Sequence, residues 1–318
     1  MIDLLVMVKN GLSELEIEKI VQFNKLQTNS KAGKRYYDNM NTKNISDGYY
    51  LRIETNSRLK LAVSLHKYKN LIENKGYVNY DLFTMPQAIK AVQELRKRTG
   101  IELHDLNVYK FEIGMNLYLS KDCRRYMDIM ESIGVSENKR DFFVNPKFKN
   151  QRTKTTYFYR EMRKYFKVYD KNFEMTEKRR KEVTGHQNIL RIETVYNRVE
   201  NMTMQKFLSP DNIQKLAEQF LKDWRTVKFS SLPSVPKGTS ISKQELCAEI
   251  LKHGSERVLL EAREKLKDGV LTPKKFRRIR EFIVHEWETF KTTLSINMSD
   301  EEREFRAELS KTGMMLKS

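Results

Sequence analysis

The chain has 318 residues, enough for about two domains of ordinary size, each able to bury its own core. Its 60 lysines and arginines against 42 acids leave a formal charge of +18, which points to a polyanionic partner and first of all to nucleic acid. With 16 Phe, 15 Tyr and 2 Trp but only 12 Gly and 6 Pro, this is a folded basic protein and not a disordered tail.

Cys123 and Cys247 lie far apart and form no CxxC pair, which argues against a disulfide framework or a thiolate zinc site and suits a reducing cytoplasm. The opening MIDLLVMVKN is too briefly apolar to span a membrane and lacks a secretion-signal pattern, so it reads as a strand and no membrane partner is expected. Ser13 and Glu16 then have capping-box spacing, and Leu15, Ile17, Ile20, Val21 and Phe23 recur as on an amphipathic helix. From Gly48 to Tyr68, alternation in YYLRIET and LKLAVSLHKY around Asn56-Ser57 predicts a hairpin. A helix over Met85 to Arg98, stopped by Gly100, leads into the strand LNVYKFEIGMNLYL. A short helix from about Lys121 to Ile133, ending at Gly134, precedes strands TTYFY at 155–159, YFKVYD at 165–170 and ILRIETVYN at 189–197. The five letters LRIET occur at both 51–55 and 190–194, which leaves a duplicated, symmetric sheet open.

Ser209-Pro210-Asp211 opens a helix through about Asp223, and the Ser, Thr, Pro and Gly of KFSSLPSVPKGTS at 228–240 mark a boundary. Beyond it the pattern is helical: Ser242 with Glu245, Thr272-Pro273, and Ser299 with Glu302 each predict a helix start. The expected division is therefore 1–228, a linker at 229–241, and a small all-α domain at 242–318 that binds DNA or oligomerises. TPKKFRRIR at 272–280 carries five cations and no acid on one predicted helix, and Lys274, Lys275, Arg277 and Arg278 are its candidate nucleic-acid contacts.

Phosphate-loop, dinucleotide-loop, HExxH and GxSxG patterns are absent, and the five histidines are scattered singly. The block from Pro146 to Glu182 holds 13 lysines and arginines against five acids, interleaved with Tyr157, Tyr159, Tyr165 and Tyr169. Cations that neutralise phosphates and rings that stack on bases suit a single-stranded nucleic-acid groove, with Arg152, Lys154, Arg160, Arg163 and Lys164 as contacts. A solvated hairpin with half-buried tyrosines is the plainer reading. A tyrosine there can also attack a backbone phosphorus, provided that a cation stabilises the developing charge. Glu54, Glu112 and Glu193 sit inside apolar strand patterns, where each needs a partner: a neighbouring Arg191 or Lys110, or a metal ion.

VYKFEIGMN, TTYFYREMRKYFKVYDK and LRIETVYNRVE, in that order over roughly residues 100–200, resemble the phage and plasmid replication proteins of the II/X type. They are also similar to rolling-circle plasmid initiators and conjugative relaxases. The resemblance implies an α+β fold of the replication-initiator nuclease kind, a mainly antiparallel sheet with packed helices. It implies an enzyme that nicks one DNA strand at an origin through tyrosine and a divalent metal, Mg2+ or Mn2+, leaving a phosphotyrosine ester and a free 3′ hydroxyl. Tyr157 falls on the T-x-Y tyrosine and is the expected nucleophile, with Tyr159 and Tyr169 as alternates. Glu112 and Glu193 are the implied metal ligands, with Glu54 a third candidate; Lys167, Asp170 and Lys171 match the Y-D-K segment whose cations would steady the phosphate. Arg191 would orient Glu193 or meet phosphate. Glutamate at 112 where relatives carry aspartate, and FYRE after T-x-Y, depart from the pattern. The implied partners are a single-stranded or hairpin origin and the host helicase and polymerase, in a bacterial cytoplasm, with self-association left open. A non-catalytic binding regulator using the same groove is the alternative.

Overall fold

The computed structural model describes residues 2–39, 47–144, 152–157, 162–177, 188–230, 235–294 and 298–317. The strands are β1 (Ile2–Lys9), β2 (Gln27–Lys31), β3 (Lys34–Asp38), β4 (Tyr49–Glu54), β5 (Arg58–Ser64), β6 (Asn107–Tyr118), β7 (Met130–Ile133), β8 (Arg140–Asp141), β9 (Phe143–Val144), β10 (Thr153–Thr155), β11 (Lys164–Asp170), β12 (Ile189–Asn197) and β13 (Lys228–Phe229). The helices are α1 (Glu14–Phe23), α2 (Leu65–Ile72), α3 (Met85–Thr99), α4 (Cys123–Ile129), α5 (Lys171–Glu177), α6 (Met204–Phe207), α7 (Pro210–Arg225), α8 (Ile241–His253), α9 (Ser255–Lys267), α10 (Pro273–Glu281), α11 (Trp287–Lys291) and α12 (Asp300–Lys317). The class is α+β, as expected.

The chain divides into two units, residues 1–229 with 303–318, and residues 230–302. In the first, ten strands form one sheet in the order β2-β3-β4-β5-β1-β6-β12-β11-β10-β9, and every pairing is antiparallel. Directly paired residues point to the same side, so the register sorts the side chains into two faces. One face is apolar: Leu51, Ile53, Leu59, Leu61, Ile113, Leu117, Leu190 and Ile192 are buried in a single core with Ala88 and Leu95 of α3 and Phe220 and Trp224 of α7. Trp224 Nε1 also donates to Thr194 Oγ1 at 3.1 Å, which satisfies a hydroxyl pointing into that layer. The other face carries the polar partners of the same strands.

Local signals hold at many boundaries. Ser13 and Glu16 form the capping box of α1, and Thr84 with Gln87 forms that of α3, which ends at Gly100 in a left-handed conformation (φ 65°). Four expectations change. The second hairpin strand stops at Ser64 and Leu65 begins α2, since burying Leu65, His66, Tyr68 and Lys69 requires a helical spacing. The helix expected to reach Ile133 ends at Ile129, because Met130–Ile133 pairs with β8 and β13 instead. The hairpin β2–β3 was not anticipated, its strands being almost wholly polar. Finally, the last helix does not belong to the C-terminal unit: from Arg303 on, α12 belongs to the first unit, where Phe305 and Leu309 enter the core and Arg306 caps the carbonyls of Arg225 and Val227.

The second unit contains α8 to α11 around a small core of Cys247, Ile250, Phe282 and Trp287. Its first helix starts at Ile241 after Ser240, not at Ser242, whereas Thr272 caps α10 as expected, accepting from Lys275 N.

Candidate functional site

The site lies on the polar face of the sheet and begins with an irregularity in β1. Ile2 opposes Ile113 and Leu5 opposes Phe111, so β1 carries one residue more than β6 across this stretch. Such a bulge re-aims a side chain. Ile2 and Leu5 both stay in the core while the Asp3 carboxylate turns to the polar side, where Ser64 Oγ, Asn79 Nδ2 (2.9 Å) and Arg191 Nη2 (2.6 Å) donate to it.

From Asp3 a ladder of alternating charge crosses four strands. Arg191 on β12 donates through Nε to Glu193 Oε1 at 2.9 Å and through Nη1 to Asn116 Oδ1. Glu193 Oε2 lies 2.8 Å from Lys167 Nζ on β11, Lys167 Nζ lies 3.4 Å from Glu112 Oε2 on β6, and Glu112 Oε1 lies 3.1 Å from Lys110. Tyr169 on β11 donates its hydroxyl to Glu193 Oε1 at 3.0 Å. Gly114 permits the crossing, since a Cβ there would stand 2.4 Å from Arg191 Nη2.

At Asp3, Glu193 and Lys167 burial and pairing oppose each other. Burial pushes the Asp3 carboxyl up, but Arg191, His66 and the Ser64 hydroxyl hold it well below the usual carboxylate range. Burial likewise works against Glu193, and Lys167 and Arg191 win, lowering it to about 2. Lys167, pushed down by burial, is raised above an ordinary lysine by Glu193 and Glu112. Burial and the Glu193 charge together hold the Tyr169 phenol well above its usual value. Behind the ladder His66 is buried, stacked on Phe83 and 2.6 Å from Asp81 Oδ1; burial lowers it to about 4 despite the carboxylate.

An open cleft of about 280 Å³ is lined by Glu112, Lys167, Tyr169, Glu193, Lys67 and Glu174, among others. Tyr157 follows β10, half-buried, its ring 4.9 Å from that of Tyr165, which shares the polar face with Lys167 two residues on. Burial raises the Tyr165 phenol, and Lys167 partly counters this. Among the described residues nothing hydrogen-bonds the Tyr157 hydroxyl.

The expected residues separate into those the sheet brings together and those it does not. Glu112, Glu193, Lys167 and Tyr169 meet in the cleft. Tyr159 and Arg160 lie outside the described residues. Glu54 is removed from the site: it ends β4 on the far wing, 3.6 Å from Arg52 and opposite Arg58. Lys171 does not face the cleft as a free cation, being buried and bonded to Glu174 at 2.7 Å, and burial with Arg191 lowers its pKa. Arg191, 2% exposed, orients Glu193 and is closed to a phosphate. Arg152 pairs with Asp170 at 2.8 Å, and Arg163 with Glu200 at 2.9 Å. Lys154 donates to the carbonyls of Asp128 and Met130, and Lys164 pairs with Asp223 of the helix layer at 2.6 Å, so neither extends from an open groove. On α10, Lys274, Lys275, Arg277 and Arg278 are all exposed, and Arg277 pairs with Glu281.

The carboxylates of Glu112 and Glu193 share one cleft, as metal ligands must, but all four of their oxygens are taken by Lys110, Lys167, Arg191 and Tyr169. Mg2+ seeks about six oxygens in near-octahedral array, and an ammonium already bridges the two acids. This arrangement does not fit such an ion. Among the described residues no group of three metal-ligating side chains is found. Sequence reasoning missed Asp3, Asn79, Asn116 and the His66–Asp81 pair. Asp3 carried the same signal as Glu112, an acid inside an apolar strand pattern.

No helix among the described residues is long and apolar enough to cross a membrane. Compared with known proteins, the chain matches no family model and no curated protein.

Proposed function

We propose that the protein is a tyrosine DNA-nicking enzyme acting in rolling-circle replication, working at the polar face of the sheet. The observation that carries this reading is that Tyr165, whose ring lies 4.9 Å from that of Tyr157, stands on the same face of β11 as Lys167, the ammonium between Glu112 and Glu193. In the reaction the Tyr157 phenolic oxygen bonds to a backbone phosphorus and the P–O3′ bond breaks. The phenolic proton ends on the departing 3′ oxygen, and reversal reseals the strand without ATP. Tyr157 is preferred to Tyr169 because the Tyr169 proton is held by Glu193 and its phenol is raised, which makes it the poorer nucleophile. Lys167, which lines the cleft, is the proposed cation for phosphate charge. The exposed basic face of α10, in the second unit, is proposed as a duplex-binding surface.

A second reading is favoured by the saturated carboxylates: a binding regulator that performs no chemistry. Incubating the protein with labelled single-stranded origin oligonucleotides in Mg2+, Mn2+ or EDTA, then denaturing in SDS, separates the two. A resistant adduct that Tyr157→Phe abolishes, with affinity retained, supports nicking; binding without adduct under every condition supports the regulator. An adduct lost in EDTA would show that the reaction needs a divalent ion, as the resemblance implies.

A further inference from the structure

We infer that the polar face of the β2–β5 wing is a track that delivers single-stranded DNA to the cleft. This rests on the reading that the cleft acts on DNA. Register puts Tyr36 of β3, Tyr50 and Arg52 of β4, and Arg58 and Lys60 of β5 on the same side as Ser64 and the ladder. Tyr109 of β6, 40% exposed, joins them, because the Arg58 guanidinium lies over its ring at 5.8 Å. The Arg52 guanidinium lies 3.9 Å from the centre of the Tyr36 ring. These side chains are half-exposed, while Leu51, Ile53, Leu59 and Leu61 between them fill the core.

Charge favours the same partner. Lys31, Lys34, Arg58 and Lys60 have no carboxylate at ion-pair distance among the described residues. The acids on the polar face of these strands are already engaged: Asp38 accepts from Asn29 at 2.8 Å and Glu54 faces Arg52. Cations neutralise phosphates, while rings and guanidinium planes stack on bases that are unpaired. A duplex offers no base faces to rings lying on a sheet. From β3 to β6 are four strand spacings, about 19 Å at roughly 4.8 Å each, a length of the order that single-strand grooves use for about four or more nucleotides.

The test is fluorescence anisotropy of the full chain with labelled oligothymidylate across a salt series. Tyr36→Ala and Tyr109→Ala should each weaken binding about 5- to 150-fold, the range of one lost base stack, and Tyr36→Phe should restore it. The double variant Arg58→Gln/Lys60→Gln should flatten the log affinity against log salt slope by about 1.4, two phosphate contacts at about 0.7 each. Unchanged affinity and slope in all of these, with thermal melting equal to the parent, would overturn the track, as would an equal loss for a blunt duplex. Tyr157→Phe should keep the parental affinity, so a failed adduct assay would remove the nicking reading while the anisotropy result stands separately.

Discussion

The same five letters, LRIET, build β4 and β12, and the two copies meet different fates. In both, leucine and isoleucine enter the core at 0–1% exposure and arginine and glutamate turn to the polar face. On β4 the pair stays on the half-exposed wing, Arg52 to Glu54 at 3.6 Å with side chains 25% and 34% exposed. On β12, in the middle of the sheet, Arg191 and Glu193 are each 3% exposed at the side chain and locked at 2.9 Å into the ladder from Asp3 to Lys110. Identical local sequence therefore sets the direction of a side chain, and its neighbours set whether the charge is a surface ornament or a structural requirement.

The comparison breaks most sharply at arginine. Arg191→Ala leaves Asp3 and Glu193 buried without their cation and should cost about 3–5 kcal/mol in denaturant unfolding. The pH profile extends the contrast. His66, lowered to about 4 in the folded state, binds its proton earlier in the unfolded chain, so its share of stability is lost as pH falls from about 6.5 to about 4. Glu193, lowered to about 2, loses its share as pH falls from about 4.5 to about 2. Melting temperature measured against pH should therefore fall in two acid steps, and His66→Gln should remove the first. Next in size, Gly114→Ala pushes a methyl against the Arg191 guanidinium and should cost about 1–3 kcal/mol by the same denaturant assay. Arg52→Ala, which loses a screened ion pair and a stacked ring, should cost only about 1 kcal/mol. Smallest of all, Glu54→Gln should stay within about 0.5 kcal/mol of the parent and leave any divalent-ion response unchanged, as a residue outside the cleft must.

Much of this was legible residue by residue. The capping pairs at Ser13 and Thr272, the apolar alternation of β6 and β12, and the suspicion attached to Glu112 and Glu193 rest on interactions within a few residues, and the fold honours them. Glu54 carried the same suspicion and ended elsewhere, because an acid in an alternating strand reads alike at the rim and at the centre of a sheet. Lys154 and Lys164 read as groove cations, yet Lys154 is spent on the Asp128 and Met130 carbonyls and Lys164 on Asp223. Arg191 to Asp3 spans 188 positions, and no spacing rule reaches that far.

What the sequence alone determined is most of the longer strands and helices and the side of those strands that their polar residues occupy, since those follow from backbone periodicity and short-range hydrogen bonding. Which strands became neighbours, the bulge that turned Asp3 toward Arg191, and the return of α12 to the first unit were decided only by the tertiary fold. Pairing partners are chosen by burial and charge compensation across the whole chain, and those energies exist only once distant segments have met.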